Sequence, residues 1–365
     1  MANLDRLFDK LIEFKGSDLH LSPQYPPLLR LRGDLAPIPG EPALSAADLH
    51  VLLMEILSPQ QRAMFEMDHD LDFAHAFGTA ARFRGNYLMK ATGMGAVFRI
   101  IPTQILTLEQ LKVPEAIRRF AEAKSGLVLV TGPTGSGKST TLASIIDAIN
   151  RNRAGHILTV EDPVEFVHTA QRCQVTHREV GRDVPTFQDA IRSSGREDAD
   201  IVLVGELRGA ETMKLALQAA SSGVLVFATV HTNSAPATID RFINAFPAEQ
   251  QPAVRGMLSE CLTGVVAQQL LKTSDGLGRL AVHEILVGNR AVASIIREGK
   301  TMMLPSLIQS GRGEGMQTMD SALEGLVRNH LVTPLDALAK AIDKENFAKI
   351  PIVAAAQLQA GAQAH

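Results

Sequence analysis

The sequence predicts an α/β protein with a small α+β N-terminal domain and a larger domain built on a parallel sheet, which ends in a helical C-terminal extension. Three observations lead to this fold class. The chain has 365 residues, of which 45% are apolar, and this length is typical of two domains. Beyond about residue 113, apolar strand runs alternate with helical segments, which implies a parallel sheet with crossover helices. A glycine-rich motif at 132–139 joins one of these strands to a helix.

The first 103 residues have the pattern of a small α+β domain. The predicted elements are a helix at 3–14, a strand at 28–32, a helix from Ser45 to about residue 57, and strands near 71–73, 81–87 and 95–101. In the first helix, Leu4, Leu7 and Leu11 recur at helical spacing. Ser45 is a typical residue to cap the second helix. We therefore expect an N-terminal domain over 1–103, followed by a linker over 104–112.

The second domain is predicted to span residues 113–348. Its expected strands lie near 126–131, 156–160, 201–205 and 225–230, and helices dominate from about residue 289. Thr333 followed by Pro334 is a typical helix start, because proline is favoured at the first helical position. The tail at 349–365 is rich in alanine and glutamine and is predicted to be flexible.

The motif at 132–139 reads Gly-Pro-Thr-Gly-Ser-Gly-Lys-Ser, which is a complete P-loop. Its glycines let backbone N–H groups close on phosphate oxygens, and the helix N-terminus adds partial positive charge. Lys138 can reach the β- and γ-phosphates of ATP, and the Ser139 hydroxyl can hold Mg²⁺. The residues predicted to bind the nucleotide are Gly132, Thr134, Gly135, Ser136, Gly137, Lys138, Ser139 and Thr140.

Polar residues follow three further apolar strands of this domain. Glu206 ends the run at 201–205, in the form of a Walker B strand, and Glu161 ends the run at 156–160. His231 follows the run at 225–230. Because ligands of an open α/β sheet bind outside the carboxyl ends of its strands, all three side chains are candidates for the site. Glu206 can hold Mg²⁺ or polarise water, and His231 can touch a phosphate or relay the nucleotide state.

Phosphoryl transfer needs positive charge on the transferred group beyond that of Mg²⁺ and the P-loop lysine. Several arginines lie near the predicted nucleotide motifs or in the small domain, and spacing alone does not choose among them. The candidates are Arg82, Arg84, Arg99, Arg192, Arg196 and Arg208.

Composition narrows the classes of partner. The net charge of −3 predicts no global polyanion-binding surface. The chain has no tryptophan and two tyrosines, so few aromatic side chains are available to stack on nucleic-acid bases. Cys173 and Cys261 form no CxxC pair, which favours a reducing cytosol. No apolar run approaches the roughly 20 residues that a membrane helix needs. Any membrane role is therefore expected to go through a partner.

Taken together, these motifs resemble the PilT-type retraction ATPases of type IV pili, within the secretion-ATPase superfamily. The matching segments are 132–139 (Walker A), 159–165 (Asp box), 201–208 (Walker B), 229–234 (His box), 16–21, 82–86, 97–102 and a late helix at 293–298. The likeness runs from about residue 3 to about residue 348. Gly209, the stretch 193–195 and Ser294 differ from the residues that many relatives carry.

The resemblance implies a PAS-like N-terminal domain, a RecA-like C-terminal domain and a hexameric ring. It assigns Glu161 as catalytic glutamate and Glu206 as Walker B acid, and Arg84 and Arg99 as arginines that approach the γ-phosphate. It implies a cytoplasmic Mg·ATP-hydrolysing motor, peripheral at the inner-membrane base of the pilus. An inner-membrane platform protein and a second retraction ATPase are the implied partners, with no nucleic acid.

Three alternatives stay open. A related pilus assembly or secretion ATPase would share the motifs, but assembly ATPases carry a longer N-terminus and a tetracysteine motif that this sequence lacks. A RecA-like nucleic-acid translocase would show nucleic-acid-stimulated turnover, and the weak basic and aromatic content argues against it. A subunit that binds nucleotide without hydrolysing it would be expected to lack acids such as Glu161 and Glu206.

Overall fold

The computed structural model describes residues 3–31, 34–78, 81–101 and 103–363, which fold as two compact units. The first unit takes in the N-terminal residues as far as Gln104 together with Asp162–Val167. The second unit takes in Ile105–Glu161 and the chain from His168 onward. The predicted strand at 28–32 and the predicted tail extend beyond the described ranges, at residue 32 and at 364–365. The domain bounds at 103 and 112 stay predictions.

The first unit combines three helices with a six-stranded antiparallel sheet of order β3-β2-β1-β6-β5-β4 among its described residues. The elements are α1 (Asp5–Glu13), β1 (Asp18–Leu21), β2 (Leu28–Leu31), β3 (Asp34–Pro37), α2 (Ala46–Met54), α3 (Pro59–Asp68), β4 (Asp70–Phe77), β5 (Ala81–Lys90) and β6 (Gly93–Ile101). The Ser45 side chain accepts from the Asp48 N–H and caps α2 as predicted.

Alternation along β5 gives this sheet one apolar face and one polar face. Phe83 and Tyr87 are fully buried, whereas Arg82 and Arg84 alternate with them and point the other way. Phe8 of α1 stacks on Phe83 with ring centroids 4.2 Å apart. The helices therefore cover the apolar face, and the arginines of β5 remain on the opposite face.

The second unit has a seven-stranded sheet among its described residues, surrounded by helices. Its strands are β7 (Gly126–Thr131), β8 (Gly155–Glu161), β9 (Cys173–Glu179), β10 (Ile201–Val204), β11 (Leu225–Val230), β12 (Leu262–Lys272) and β13 (Arg279–Val287). Its helices are α4 (Glu115–Phe120), α5 (Lys138–Asn152), α6 (Phe187–Ser194), α7 (Gly209–Ser221), α8 (Ala235–Asn244), α9 (Gln251–Cys261), α10 (Arg290–Glu298), α11 (Leu304–Ser310), α12 (Met319–Arg328), α13 (Pro334–Lys340), α14 (Lys344–Ala348) and α15 (Pro351–Gln363), with 3₁₀ turns at Thr301–Met303 and Gly311–Glu314.

The strand order of this sheet is β13-β12-β7-β11-β10-β8-β9. All neighbouring pairs are parallel except β12 and β13, which are antiparallel. The residues of β7, β10 and β11 are buried throughout, as expected for strands covered by helices on both faces. Because β7, β11, β10 and β8 are parallel neighbours, the residues after their carboxyl ends share one edge of the sheet.

The predicted α/β fold class is confirmed, with a PAS-like first part and a RecA-like second part. The strands expected near 126–131, 156–160, 201–205 and 225–230 are present, and Thr333 caps α13 with Pro334 in its first turn. In the second unit, the strands β9, β12 and β13 were not predicted, and in the first unit β1 and β3 were not. Where the sequence predicted a flexible tail, the structure has α15, with Val353 fully buried. Burial of this apolar side chain stabilises the packing of the helix against the rest of the unit.

Candidate active site

The P-loop connects β7 to α5 and has the backbone of a phosphate-binding turn. Gly132, Gly135 and Gly137 have φ angles of +145°, +77° and +84°. L-residues with a Cβ rarely adopt such angles, so glycine is needed at all three positions. A Cβ on Gly132 would also collide with the main-chain oxygen of Gln268. At Gly135, by contrast, a Cβ would meet no heavy atom within 4 Å, so the loop is open there.

Two polar groups of the loop fit a bound phosphate. The Ser136 hydroxyl is buried and has no hydrogen-bond partner among the described residues. An orphaned buried hydroxyl is rare and indicates a ligand that would complete it. Lys138 is 8% exposed, and its ammonium donates to the main-chain oxygens of Gly132 at 3.0 Å and Pro133 at 3.1 Å. The ammonium therefore lies against the loop itself, where the phosphates of a nucleotide would also bind.

Ser139 and Thr140 occupy the first turn of α5 and are half-buried. Backbone N–H groups of a first helical turn have no partner within the helix, and the helix dipole adds positive charge there. This end of α5 therefore favours an anion. Thr134 and Gly135, at the tip of the loop, are exposed.

Glu206 follows β10 at the same edge of the sheet. Its Oε1 lies 2.7 Å from Arg208 Nε and 3.2 Å from His231 Nε2. Burial tends to raise the pKa of Glu206, but the hydrogen bonds and charges of Arg208 and His231 outweigh burial and lower the pKa below its usual range. The carboxylate is therefore ionised at neutral pH, as a metal ligand or proton acceptor must be.

Glu161 ends β8, the immediate neighbour of β10, and its side chain is 8% exposed. The Gly205 N–H donates to the Val160 oxygen at 2.8 Å, which fixes the two strand ends together. A Cβ on Gly205 would approach Glu161 Cγ to 3.2 Å, so a small residue leaves room for this carboxylate. The two predicted acids therefore lie on adjacent strand ends.

His231 lies after β11, the strand between β7 and β10. The next residue, Thr232, is tied to the end of β7, because its N–H donates to Thr131 Oγ1 at 2.8 Å. The Thr131 hydroxyl lies 2.8 Å from the Thr232 oxygen. His231 also contacts Glu206, so one polar path joins the strand that leads into the P-loop to the acid of β10.

Arg84 and Arg99 lie in the first unit, directly opposite each other on β5 and β6. Arg84 pairs with Asp72 at 2.8 Å and Arg99 with Asp18 at 2.8 Å. Arg82, on the same face, donates to the Val164 oxygen at 3.4 Å.

The other candidate arginines lie in the second unit. Arg192 of α6 contacts Asp189 at 3.5 Å and Glu211 of α7 at 3.1 Å. All three side chains are exposed to solvent. Arg208 pairs with Glu206 and is 79% exposed. Of this group, Arg208 is therefore the arginine that the described geometry brings to a predicted acid.

Within the described ranges, no three His, Cys, Asp or Glu side chains cluster as a ready-made metal site. A Mg²⁺ ion would thus rely on the Ser139 hydroxyl, the Glu206 carboxylate and the nucleotide phosphates, which are all oxygen donors of the kind that Mg²⁺ prefers. No helix in the described part of the chain is long and apolar enough to span a bilayer.

The sequence did not predict Gln268 on β12 or His283 on β13. Gln268 is 1% exposed and contacts the P-loop through Ser136, and His283 is 3% exposed and contacts Gln268. Each of these residues is polar and lies within an otherwise apolar strand. Because buried polar groups are almost always hydrogen-bonded, this pattern indicates a buried hydrogen bond. Periodicity alone does not reveal which loop such a residue contacts.

Comparisons with known proteins agree on one family. The family model described as type II/IV secretion system protein matches residues 67–333. The chain is 49% identical over 332 residues to the type IV pilus retraction ATPase PilT of Pseudomonas aeruginosa, covering 91% of this chain and 96% of that protein. It is 46% identical over 321 residues to a twitching motility protein of Neisseria gonorrhoeae, covering 88% and 86%.

A solved structure is also similar. The crystal structure of the pilus retraction motor PilT with bound ADP superposes with a TM-score of 0.87 at 38% identity. The match covers 94% of this chain and 98% of that chain. Similarity of this extent includes both units.

Proposed function

This chain belongs to the type II/IV secretion system protein family, and we propose that it is the ATP-hydrolysing motor that retracts type IV pili. One observation carries this proposal. A complete P-loop and the acids Glu161 and Glu206 share one sheet edge, and His231 contacts Glu206 at 3.2 Å. The similarity to retraction ATPases over nine-tenths of the chain supports retraction of the pilus as the work of this motor.

Each residue at this edge of the sheet has a separate role in hydrolysis. The P-loop N–H groups and Lys138 bind the phosphates, which positions the γ-phosphate and offsets its charge. Glu161, almost buried at the end of β8, orients the attacking water or accepts its proton. Glu206 stays ionised because Arg208 and His231 lower its pKa. His231 then links Glu206 to the strand that leads into the P-loop, and it can relay the nucleotide state.

Ser139 and Glu206 are the residues that would hold Mg²⁺. When bound, Mg²⁺ supplies charge neutralisation on the β- and γ-phosphate oxygens. The orphaned Ser136 hydroxyl and the open room at Gly135 support a nucleotide on the same loop.

The working assembly in this proposal is a homohexamer. A P-loop on a single sheet edge leaves the γ-phosphate open on one side, and phosphoryl transfer gains from an arginine that closes it. Arg84 and Arg99 of a neighbouring subunit are the candidates, because they stand side by side on β5 and β6. Their carboxylate partners keep both guanidinium groups on the polar face of the sheet.

The proposed partners follow from the retraction role. The hexamer would act from the cytoplasm on an inner-membrane platform protein, at the base of the pilus, and would work beside a second retraction ATPase. Contact with the membrane would go through these partners. Nucleic acid is not among the proposed partners, since the net charge is −3 and tryptophan is absent.

The experiment that tests the site is ATP turnover and ADP binding by the Lys138→Ala variant. Without the ammonium, the phosphates lose their main side-chain partner, and turnover at saturating ATP is expected to fall by on the order of a hundredfold or more. Lys214→Ala, at an exposed lysine of α7, is the matched control and should retain wild-type turnover. Near wild-type activity of Lys138→Ala would remove the site assignment.

A further inference from the structure

Gln268 joins the P-loop to a strand that lies outside the recognised nucleotide motifs. It sits on β12, the parallel neighbour of β7, and its side chain is 1% exposed. Its Nε2 donates to the main-chain oxygen of Ser136 at 2.7 Å. Its own main-chain oxygen packs against Gly132, where a Cβ would not fit. One residue therefore contacts the loop near its beginning and near its end.

The carbonyl oxygen of the Gln268 side-chain amide has two hydrogen-bond partners. Its Oε1 accepts from Thr141 Oγ1 at 2.7 Å, and Thr141 lies in the first turns of α5. The same Oε1 lies 3.1 Å from His283 Nε2. Burial lowers the pKa of His283 to about 4, so the ring is neutral and donates through Nε2. The amide is thus held in one orientation, with its NH₂ group directed at Ser136.

The orientation matters because a peptide unit is planar and trans, so its C=O and N–H point in opposite directions. The Ser136 carbonyl and the Gly137 N–H belong to the same peptide unit. A donor from β12 that holds this carbonyl therefore directs the Gly137 N–H away from β12. Gly137 has a φ of +84°, a conformation in which a free peptide could readily flip.

We propose that Gln268 is a positioning residue for nucleotide phosphates, which acts by fixing the Ser136–Gly137 peptide so that its N–H is presented to the ligand. The inference rests on the assignment of the P-loop as the ATP site. Glutamine suits this role because it carries a donor for Ser136 and an acceptor for both Thr141 and His283 on one planar group. Glutamate lacks the donor, and an apolar residue of the same length lacks both.

The test compares ADP binding by calorimetry, with Mg²⁺ present, in the full-length protein and three variants. Gln268→Glu keeps the acceptor contacts to Thr141 and His283 but cannot donate to the Ser136 oxygen. Gln268→Met removes every polar contact at similar volume. Gln269→Met is the matched control, because the adjacent glutamine points to the other face of β12, where its Nε2 lies 3.3 Å from the Lys340 oxygen.

Both Gln268 variants are expected to bind ADP about tenfold more weakly than wild type, which is the size of effect expected for one or two lost hydrogen bonds. Gln269→Met should bind as wild type does. Wild-type affinity in Gln268→Glu, with or without a loss in Gln268→Met, would overturn the proposal, because the donor to Ser136 would then be dispensable. Should Gln268→Met fail to fold, Gln268→Glu carries the test alone.

The Lys138→Ala variant in the same titration separates this inference from the function on which it rests. Loss of ADP binding in Lys138→Ala, together with unchanged binding in both Gln268 variants, would reject the role of Gln268 and keep the site. Wild-type ADP binding in Lys138→Ala would reject the site itself.

Discussion

Glu206 shows how one carboxylate is prepared for chemistry by its neighbours. It contacts Arg208 at 2.7 Å and His231 at 3.2 Å, and these two groups lower its pKa although burial acts in the opposite direction. The Thr229 hydroxyl donates to the Gly205 oxygen and so holds the chain just before Glu206. The acid is therefore both ionised and fixed in place, two properties that its proposed role in hydrolysis needs.

At the residue scale, Glu206→Ala and Glu161→Ala should separate binding from chemistry. The P-loop supplies most of the contacts to the phosphates, so ATP affinity should stay within about threefold of wild type. Turnover should fall by on the order of a hundredfold or more, because the interactions of these carboxylates are stronger in the transition state than in the bound state. Calorimetry with ATP and a steady-state ATPase assay measure the two effects.

Glu249→Ala is the control for both variants, since Glu249 is an exposed glutamate of the same unit. A variant of Glu206 or Glu161 that loses ATP binding but keeps turnover per bound site would show that the roles are wrong.

At the element scale, β13 carries two buried polar residues that face different parts of the unit. His283 contacts Gln268, and the adjacent Glu284 accepts from the Ala235 N–H at 2.7 Å and from the Met319 N–H at 3.4 Å. Ala235 and Met319 begin α8 and α12. Strand β13 thus connects α12 to α8, which follows His231, and it is joined to the P-loop through Gln268 of β12.

The burial of His283 makes the stability of the unit depend on pH. Its pKa falls from the ordinary 6.5 to about 4 because burial disfavours the charged ring. The unfolded chain therefore binds a proton that the folded chain does not, and stability falls as pH decreases from 6.5 toward 4. Between pH 7.5 and pH 5, this one residue accounts for about 2 kcal/mol of the loss.

The variant His283→Gln should remove that contribution. Glutamine does not titrate, so the free energy of unfolding in urea should fall less steeply from pH 7.5 to pH 5 than it does in wild type. The control is His50→Gln, at an exposed histidine, which should leave the slope unchanged. Parallel pH curves for wild type and His283→Gln would contradict the assignment of His283 as a buried neutral ring.

Strands with uninterrupted apolar residues were predicted from the sequence, whereas β12 and β13, which carry buried polar residues within apolar runs, were not. Strands β7, β10 and β11 are buried on both faces and read as uninterrupted apolar runs. β12 and β13 carry Gln268 and His283 among apolar residues, so the pattern was broken where the structure makes its buried hydrogen bonds. The P-loop is a local motif, whereas its contact with Gln268 depends on the register of β12 against β7.

At the scale of the whole molecule, the proposed hexamer predicts that arginines of the first unit act on ATP bound by another subunit. Arg84→Ala and Arg99→Ala should lower turnover by on the order of a hundredfold with a modest loss of ATP affinity. Arg84→Ala is the cleaner variant, because its partner Asp72 is 42% exposed. Asp18, the partner of Arg99, is 4% exposed and would lose its nearest guanidinium.

The control for these variants is Arg62→Ala, at an exposed arginine of the same unit whose guanidinium contacts the Met54 oxygen. Turnover should be measured together with the molecular mass by light scattering. A monomer with full activity would refute a site completed by a neighbouring subunit.

We expect helix α10 to be needed for retraction but not for hydrolysis. Ile296 is fully buried and Ile295 packs against the same core, so both isoleucines have a structural role. Arg297 is exposed, and its guanidinium lies 3.4 Å from the Ser259 hydroxyl. We expect Arg297→Ala to keep ATP turnover near wild type and to abolish retraction, whereas Arg279→Ala, at an exposed arginine of β13, should leave both unchanged.

The measurement that tests the central claim most directly is a count of surface pili, with twitching zones, in cells that lack this chain. A retraction motor predicts surplus pili and no twitching in those cells and in cells complemented with Arg297→Ala, and recovery of both with the wild-type chain. Loss of pili would identify an assembly motor instead. Unchanged piliation and motility would contradict the account as a whole.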